Sequence, residues 1–342
     1  MKSFDVIIIG AGPAGLQCAK TLAGSRKNVL LVEKNKIIGP KVCAGGLTRK
    51  CFNYLQLPDH LVERTYQKII FQTPFNKTAL QFGENFLYTV DRKNLGQWQL
   101  EKLHSAENIE IKTGSAVTEF KKNHITVNGS EKIGYKYLVG ADGSNSSVRR
   151  FLGVKTKLTG IAFQYIIPGK KFKDIQIFLN SRLFGAWYAW IFPYKNSASI
   201  GYGCFPMIIS PKKAKENFFH WIKSRKIDLS QGEYQAAAIN CDYRGHKFGN
   251  IFLAGDAAGL ASGLTGEGIY QALVSGEEIA KLILNPSYKC EGIKKARAEI
   301  RIHKILLVTI YIFGPLRWML YEIVVLAVKN KFLARILLRV LT

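Results

Sequence analysis

A strand that runs straight into a glycine loop constrains this chain more than any other feature. Residues 4–9, Phe-Asp-Val-Ile-Ile-Ile, are apolar but for Asp5 and continuously so from Val6 to Ile9, the pattern of a parallel strand buried on both faces. Gly10-Ala11-Gly12-Pro13-Ala14-Gly15 follows at once, and Pro13 to Ala23 reads as a helix. Asn28 to Glu33 reads as a second strand. Glycines at this spacing permit a tight turn and a close backbone approach to a pyrophosphate. The helix N-terminus then stabilises the charge. Glu33 closes the second strand 18 residues after Gly15. A carboxylate there accepts from ribose hydroxyls and repels a 2′-phosphate. Gly10, Gly12, Ala14, Gly15, Glu33 and the adjoining Lys34 are thus expected to hold FAD or NAD, and not NADP.

Further along, residues 36–50 are Gly-rich and read as a loop, and residues 66–90 alternate like strands. Asn94 to Ala106 reads as a helix, and residues 109–140 as short strands. Residues 160–204 are aromatic and β-branched, with turn signals at Pro168-Gly169, Asn180-Ser181 and Lys195-Asn196, and predict an antiparallel sheet. Pro211 to Ser224 and Gly266 to Leu284 read as helices, with a short strand from Asn250 to Ala254. This order suggests a nucleotide-binding domain interrupted by a substrate domain.

The formal charge is +25, from 49 basic and 24 acidic residues. Such a balance speaks to partners: nucleic acid, an anionic membrane or an anionic substrate. No nucleic-acid motif is present, so no nucleic acid is expected. The six cysteines form no CxxC pair and the six histidines no metal-ligand spacing; we expect neither disulfides nor a metal site, and a cytoplasmic setting. No secretory signal precedes the first strand. Residues 289–342 carry 11 Lys/Arg against 3 Glu. The 12 uncharged residues between Lys304 and Arg317 would span about 18 Å as a helix, short of a bilayer core of about 30 Å. Lys331, Arg335 and Arg339 recur every four residues, opposite Phe332, Leu333, Ile336, Leu337, Val340 and Leu341. That pattern predicts a basic amphipathic helix suited to an anionic membrane surface, peripheral and on the cytoplasmic face.

Two more glycine segments separate FAD from NAD. Gly140-Ala141-Asp142-Gly143 follows one strand, and Gly255-Asp256-Ala257-Ala258-Gly259 another, with Gly263, Gly266 and Gly268 before the next helix. With the first loop, these segments resemble the FAD-dependent group that contains p-hydroxybenzoate hydroxylase and geranylgeranyl reductase. Tyr188-Ala189-Trp190-Ile191-Phe192-Pro193 matches the geranylgeranyl reductases' YxWxFP motif. Lys41-Val42-Cys43-Ala44-Gly45-Gly46 resembles their Cys-Gly-Gly loop, with Ala44 where glycine is usual. The resemblance implies an α/β fold: a Rossmann-like FAD-binding domain of the hydroxylase type (1–65, 88–155 and 245–288), an inserted antiparallel-sheet substrate domain (66–87 and 156–244), and basic C-terminal helices (289–342). It implies FAD contacts at Ala44, Gly46, Arg92, Ala116, Asp142, Asp256, Gly266, Gly268 and Ile269 besides the first loop. The helix starting near Gly268 would point its positive end at the flavin.

Tyr188, Trp190 and Phe192 alternate, which puts three aromatics on one strand face. With Pro193 they would make an apolar wall for a prenyl chain. The implied chemistry is hydrogenation of a polyprenyl C=C bond by hydride from reduced FAD, with NAD(P)H or ferredoxin as electron donor. Cys43, by loop position, and Tyr188, by its hydroxyl, are the candidate proton donors. A flavin monooxygenase or halogenase fits the FAD segments equally, but not the YxWxFP stretch. A membrane-associated electron-relay flavoprotein fits the basic tail.

Overall fold

The computed structural model describes residues 1–330 and 332–334. The predicted amphipathic helix from Lys331 to Leu341 therefore lies largely outside the described residues.

An eight-stranded sheet carries the glycine loops. Lys2–Ile9 lies at its centre, parallel to Glu131–Gly140 on one side and Val29–Val32 on the other. Ile109–Lys112 extends one edge and Ile251–Leu253 the other, both parallel. Val29–Val32 and Ile251–Leu253 are unbroken apolar runs, and Lys2–Ile9 is apolar from Val6 on, because both faces are covered. Val6, Ile8 and Leu31 pack under the helices Pro13–Leu22 and Ile269–Leu284. Ile7, Ile9 and Leu30 pack on the opposite side against Ile125, Val127 and Val148. The parallel strands all end at one edge, so the loops after Ile9, Val32, Gly140 and Leu253 gather there. In open α/β sheets that crevice is where ligands bind.

A seven-stranded sheet stands beside it, in the order Glu233–Asn240, Thr159–Pro168, Ser197–Cys204, Ala189–Pro193, Ile175–Phe178, Lys68–Gln72, Lys77–Gln81. It is antiparallel except where Ile175–Phe178 runs parallel to Lys68–Gln72, a departure from the expected all-antiparallel sheet. The helix Pro211–Ser224 covers one face, with Phe218 and Trp221 packed against Phe184, Ile191 and Tyr202. The Asn180-Ser181 turn is a single helical turn, Ser181–Phe184, capped by the Asn180 side chain. Gly46–Thr48, Val62–Tyr66 and Leu87–Val90 form a separate three-stranded sheet, so the stretch expected as a loop over 36–50 ends as a strand and then enters the helix Arg49–Leu55. The helices Glu291–Ile312 and Arg317–Ala327 close the described chain, bent by 105° about Gly314–Leu316.

Candidate active site

The first glycine loop is built by close contact. A Cβ on Gly15 would stand 1.9 Å from the Gly10 carbonyl oxygen, and one on Gly10, at φ +99°, would stand 2.5 Å from the Ala141 oxygen. Gly12 differs: a Cβ there would meet nothing within 4 Å. It caps the helix Pro13–Leu22 with no side-chain partner for the first amides. An open cradle facing uncapped N–H groups is a seat for a pyrophosphate. Beside it, Glu33 Oε2 accepts from the Ala11 N–H (2.8 Å) and Oε1 from the Asn35 N–H (2.9 Å). This fixes the carboxylate at the loop and leaves lone pairs for ribose hydroxyls. Lys34 is exposed at the same strand end.

Asp256 sits where three segments meet. Its Oδ2 pairs with Lys41 Nζ at 3.2 Å and accepts from Ser144 Oγ at 3.1 Å. Asn240 donates from Nδ2 to the Asp256 carbonyl oxygen at 2.9 Å. Gly268, the uncapped start of the helix Ile269–Leu284, lies so close that a Cβ would be 3.1 Å from Asp256 Oδ1. Asp142 instead caps its own loop, its Oδ2 accepting from Ser147 N (2.6 Å) and Ser147 Oγ (2.7 Å); its Oδ1 is buried without a partner. Ala116 has both backbone groups on Asn128: its N–H meets Oδ1 at 2.9 Å and its carbonyl accepts from the Asn128 N–H at 2.9 Å.

Arg92 opens the helix Arg92–Glu101, which Asp91 caps. Its Nε is buried with no hydrogen-bond partner. Together with the open Gly12 cradle and two uncapped helix starts, this orphan donor fits an anionic dinucleotide such as FAD. A charge-assisted hydrogen bond is worth about 1.5–3 kcal/mol. Arg92→Met is thus expected to weaken FAD binding by about tenfold or more with little change in melting temperature, read by flavin-fluorescence titration.

The Cys43 loop lies against the seven-stranded sheet. Tyr194 donates to the Ala44 carbonyl (2.9 Å), Gln164 Nε2 donates to the Cys43 carbonyl (3.1 Å), and a Cβ on Gly46 would meet the Phe192 ring at 2.6 Å. Cys43 Sγ accepts from the Gly45 N–H at 3.3 Å. Trp190 and Phe192 alternate on the strand Ala189–Pro193, whose odd members Ala189 and Ile191 enter the opposite core. Tyr188 precedes the strand, yet its ring stands 6.2 Å from Trp190. Ser199 links this wall to Gln164, accepting from Trp190 Nε1 (2.9 Å) and donating to Gln164 Oε1 (3.0 Å). The Tyr188 hydroxyl donates to the Thr265 carbonyl, and Trp187 Nε1 to the Leu264 carbonyl (3.0 Å). Burial pushes the Tyr188 hydroxyl far above the usual tyrosine range. The wall is therefore tied to the 262–268 loop at the start of the Ile269–Leu284 helix, close to Gly266.

Sequence reasoning passed over an acid in this loop. Glu267 lies between Gly266 and Gly268, and Thr48 Oγ1 donates to its Oε1 at 3.1 Å. Burial, then the nearby Glu299 carboxylate, push its carboxyl up to about 7, against the pull of the Thr48 hydrogen bond and of Lys50. Lys50 itself pairs with Glu299 at 2.8 Å. Behind the loop, Ser262 Oγ meets His303 Nδ1 at 2.9 Å in the interior.

Residues 4–163 match the family of pyridine nucleotide-disulphide oxidoreductases. An uncharacterized protein of Methanosarcina barkeri is 31% identical over 302 residues, 83% of this chain and 75% of that protein. A digeranylgeranylglycerophospholipid reductase of Methanosphaerula palustris is 28% identical over 324 residues, 82% of this chain and 76% of that protein. A solved geranylgeranyl bacteriochlorophyll reductase-like protein from Thermoplasma acidophilum superposes with a TM-score of 0.81 at 22% identity, over 97% of this chain and 92% of that one.

Proposed function

This chain belongs to the geranylgeranyl reductase family of FAD-dependent oxidoreductases, and from that premise we propose that it hydrogenates C=C bonds of a polyprenyl chain. One observation carries the reading: the Tyr188–Trp190–Phe192 wall faces the Cys43 loop and is tied to the 262–268 loop. An aromatic wall beside the expected flavin suits an apolar chain and tolerates cationic character at carbon. We divide the chain as the sequence suggests, into an FAD-binding domain (1–65, 88–155, 245–288), a substrate domain (66–87, 156–244) and the C-terminal helices.

FAD would lie along Gly10, Gly12, Ala14, Gly15 and Glu33, with Arg92 and Asp256 toward its middle and the N-terminus of the Ile269–Leu284 helix at its far end. When bound and reduced, it supplies a hydride to one alkene carbon; a proton reaches the other, and the flavin is left oxidised. The chain must hold that proton. Tyr188 directs its hydroxyl hydrogen at Thr265 O and would have to turn to donate, whereas Cys43, whose Sγ accepts from the Gly45 N–H, keeps its own thiol hydrogen. Glu267, whose Oε1 accepts from Thr48, is a further candidate, since burial keeps its carboxyl protonated up to about pH 7. The excess of lysine and arginine suits an anionic membrane face, and NAD(P)H or ferredoxin would be the electron donor.

The test is anaerobic. Holoprotein reduced with dithionite is mixed with geranylgeranyl diphosphate or a digeranylgeranyl phospholipid. Flavin reoxidation with a gain of two hydrogens per double bond, read by mass spectrometry, is the expected result. A flavin that stays reduced with these lipids, yet reoxidises in air while hydroxylating an added aromatic, would overturn it.

A further inference from the structure

We propose that the bent C-terminal helix pair is a membrane wedge, seated in the surface of an anionic bilayer and opening the apolar interior beside Tyr188 to the lipid phase. The second half of this statement rests on the polyprenyl reading; the first does not.

Among the described residues, 13 of the 21 large apolar side chains that are exposed fall between Ile302 and Leu333. Ile312 is 73% exposed, and Ile305 and Ile323 are each 58% exposed. No described helix alone is long and apolar enough to cross a membrane, but the two legs together form one bent apolar element. An exposed apolar patch of this extent marks an interaction surface.

The patch is not a loosely held end. Ile293, Ile300, His303 and Leu307 pin the first leg to the body, and Tyr321, Glu322 and Val325 the second. Tyr321 donates to Gly185 O at 3.2 Å, while Glu322 accepts from Thr73 (2.6 Å) and Asn76 (2.9 Å). With those faces fixed inward, Ile305, Ile312, Leu316, Trp318, Ile323 and Leu326 can only face outward.

Charge selects the occupant. The exposed Lys294, Lys295, Arg301 and Lys304 line the first leg ahead of its apolar tip, and Lys329 follows the second leg. Basic stem and apolar tip match the headgroup and acyl layers of an anionic bilayer, with Trp318 and Tyr311 suited to the boundary between them. A second copy would bring the same basic rims together, in a chain already carrying +25. The tip also joins the site: Leu307 and Ile310 pack in one apolar cluster with Trp187, Tyr188, Phe205 and Ile208.

Holoprotein is floated with phosphatidylcholine vesicles, with and without phosphatidylglycerol, beside the exposed-face variants Ile312→Glu and Ile323→Glu. Flavin content and melting temperature report that the variants fold. Wild type is expected to bind the anionic vesicles, and each variant to lose about tenfold in partitioning while keeping its flavin. Trp318 emission should shift to the blue on binding, the shift vanishing in Trp318→Phe. Prenyl reduction in vesicles should fall with binding, yet stay unchanged for detergent-dispersed substrate. No binding of wild type to anionic vesicles overturns the wedge, as does a dimer that the same variants dissolve. Vesicle binding with no prenyl reduction in any format upholds the wedge and overturns the opening together with the polyprenyl reading.

Discussion

Replacing Gly15 with alanine is expected to yield a protein that retains no flavin, whereas Gly12→Ala should fold normally and still bind FAD poorly. The two glycines stand three residues apart in one loop, and their surroundings set the difference. At Gly15 the new Cβ would fall 1.9 Å from Gly10 O and 3.4 Å from the Ala141 Cβ. Its nearest obstacle is backbone, so no rotamer change relieves it. The helix Pro13–Leu22 would have to move off the strand Lys2–Ile9, with overpacking costs of about 1–3 kcal/mol. The loop that displays the amides moves with it. At Gly12 the backbone is ordinary, φ −76°, and the added methyl has open space. The methyl costs the fold little, but it occupies the volume a pyrophosphate needs above the uncapped amides. Flavin stoichiometry and thermal melting of the two variants separate the cases. Gly15→Ala should lose both flavin and several degrees of melting temperature; Gly12→Ala should lose about tenfold or more in FAD affinity with melting of the apoprotein unchanged. Full flavin occupancy in Gly15→Ala would show that FAD does not depend on this turn.

The elements that sequence reasoning located carry local signals. Pro211–Ser224 has the bounds expected because Ser210 caps it, accepting from the Lys213 N–H, and proline opens it. The central strand was legible from its apolar run, Val6 to Ile9, leading straight into the glycine loop. Glu233–Asn240 was missed, since Gln235-Ala236-Ala237-Ala238 has little strand preference. Its eight residues are held by pairing with Thr159–Pro168, a partner some 70 positions away. The parallel pairing of Ile175–Phe178 with Lys68–Gln72 is likewise set by the fold, across more than 100 residues. The site divides in the same way. The glycines, Glu33, Arg92 and Asp256 announce themselves by motif. Lys41 reaches Asp256 across 215 positions, and Thr48, Lys50 and Glu299 reach the 262–268 loop from a strand end and two helices. No spacing connects such residues; only the tertiary packing of these segments does. Alternation placed Trp190 and Phe192 correctly on a strand, but it did not show that Tyr188 lies just outside it, bound to Thr265.

The wild type is expected to show a pH dependence near neutrality in both stability and turnover, and Glu267→Gln to abolish it. The sign follows from the direction of the shift. Burial and Glu299 raise the carboxyl from 4.5 to about 7, so the folded protein holds this proton more tightly than the unfolded chain does. Its contribution to stability is fully present below about pH 4.5 and is lost as pH rises through about 7. The gap corresponds to roughly 3 kcal/mol. The groups facing this carboxyl are Thr48, Lys50, Glu299, Tyr188, Tyr270 and Cys51. All remain in the variant, as does the rest of the titrating chain, so their contributions largely cancel between the two melting curves. Glutamine keeps an oxygen to accept from Thr48 but has no proton to lose in this range. The difference in melting temperature between wild type and Glu267→Gln should therefore narrow or reverse from pH 5 to pH 8 in favour of the variant. For turnover, the protonated carboxyl is the form that can give up a proton. Prenyl reduction by wild type should fall above about pH 7, and the variant should be slower by about 10² with that limb gone. Parallel melting curves would mean that Glu267 does not titrate near neutrality. Divergent curves with unchanged turnover would mean that Glu267 titrates without serving the reaction, and would return the proton to Cys43 or Tyr188, read by Cys43→Ala and Tyr188→Phe in the same assay.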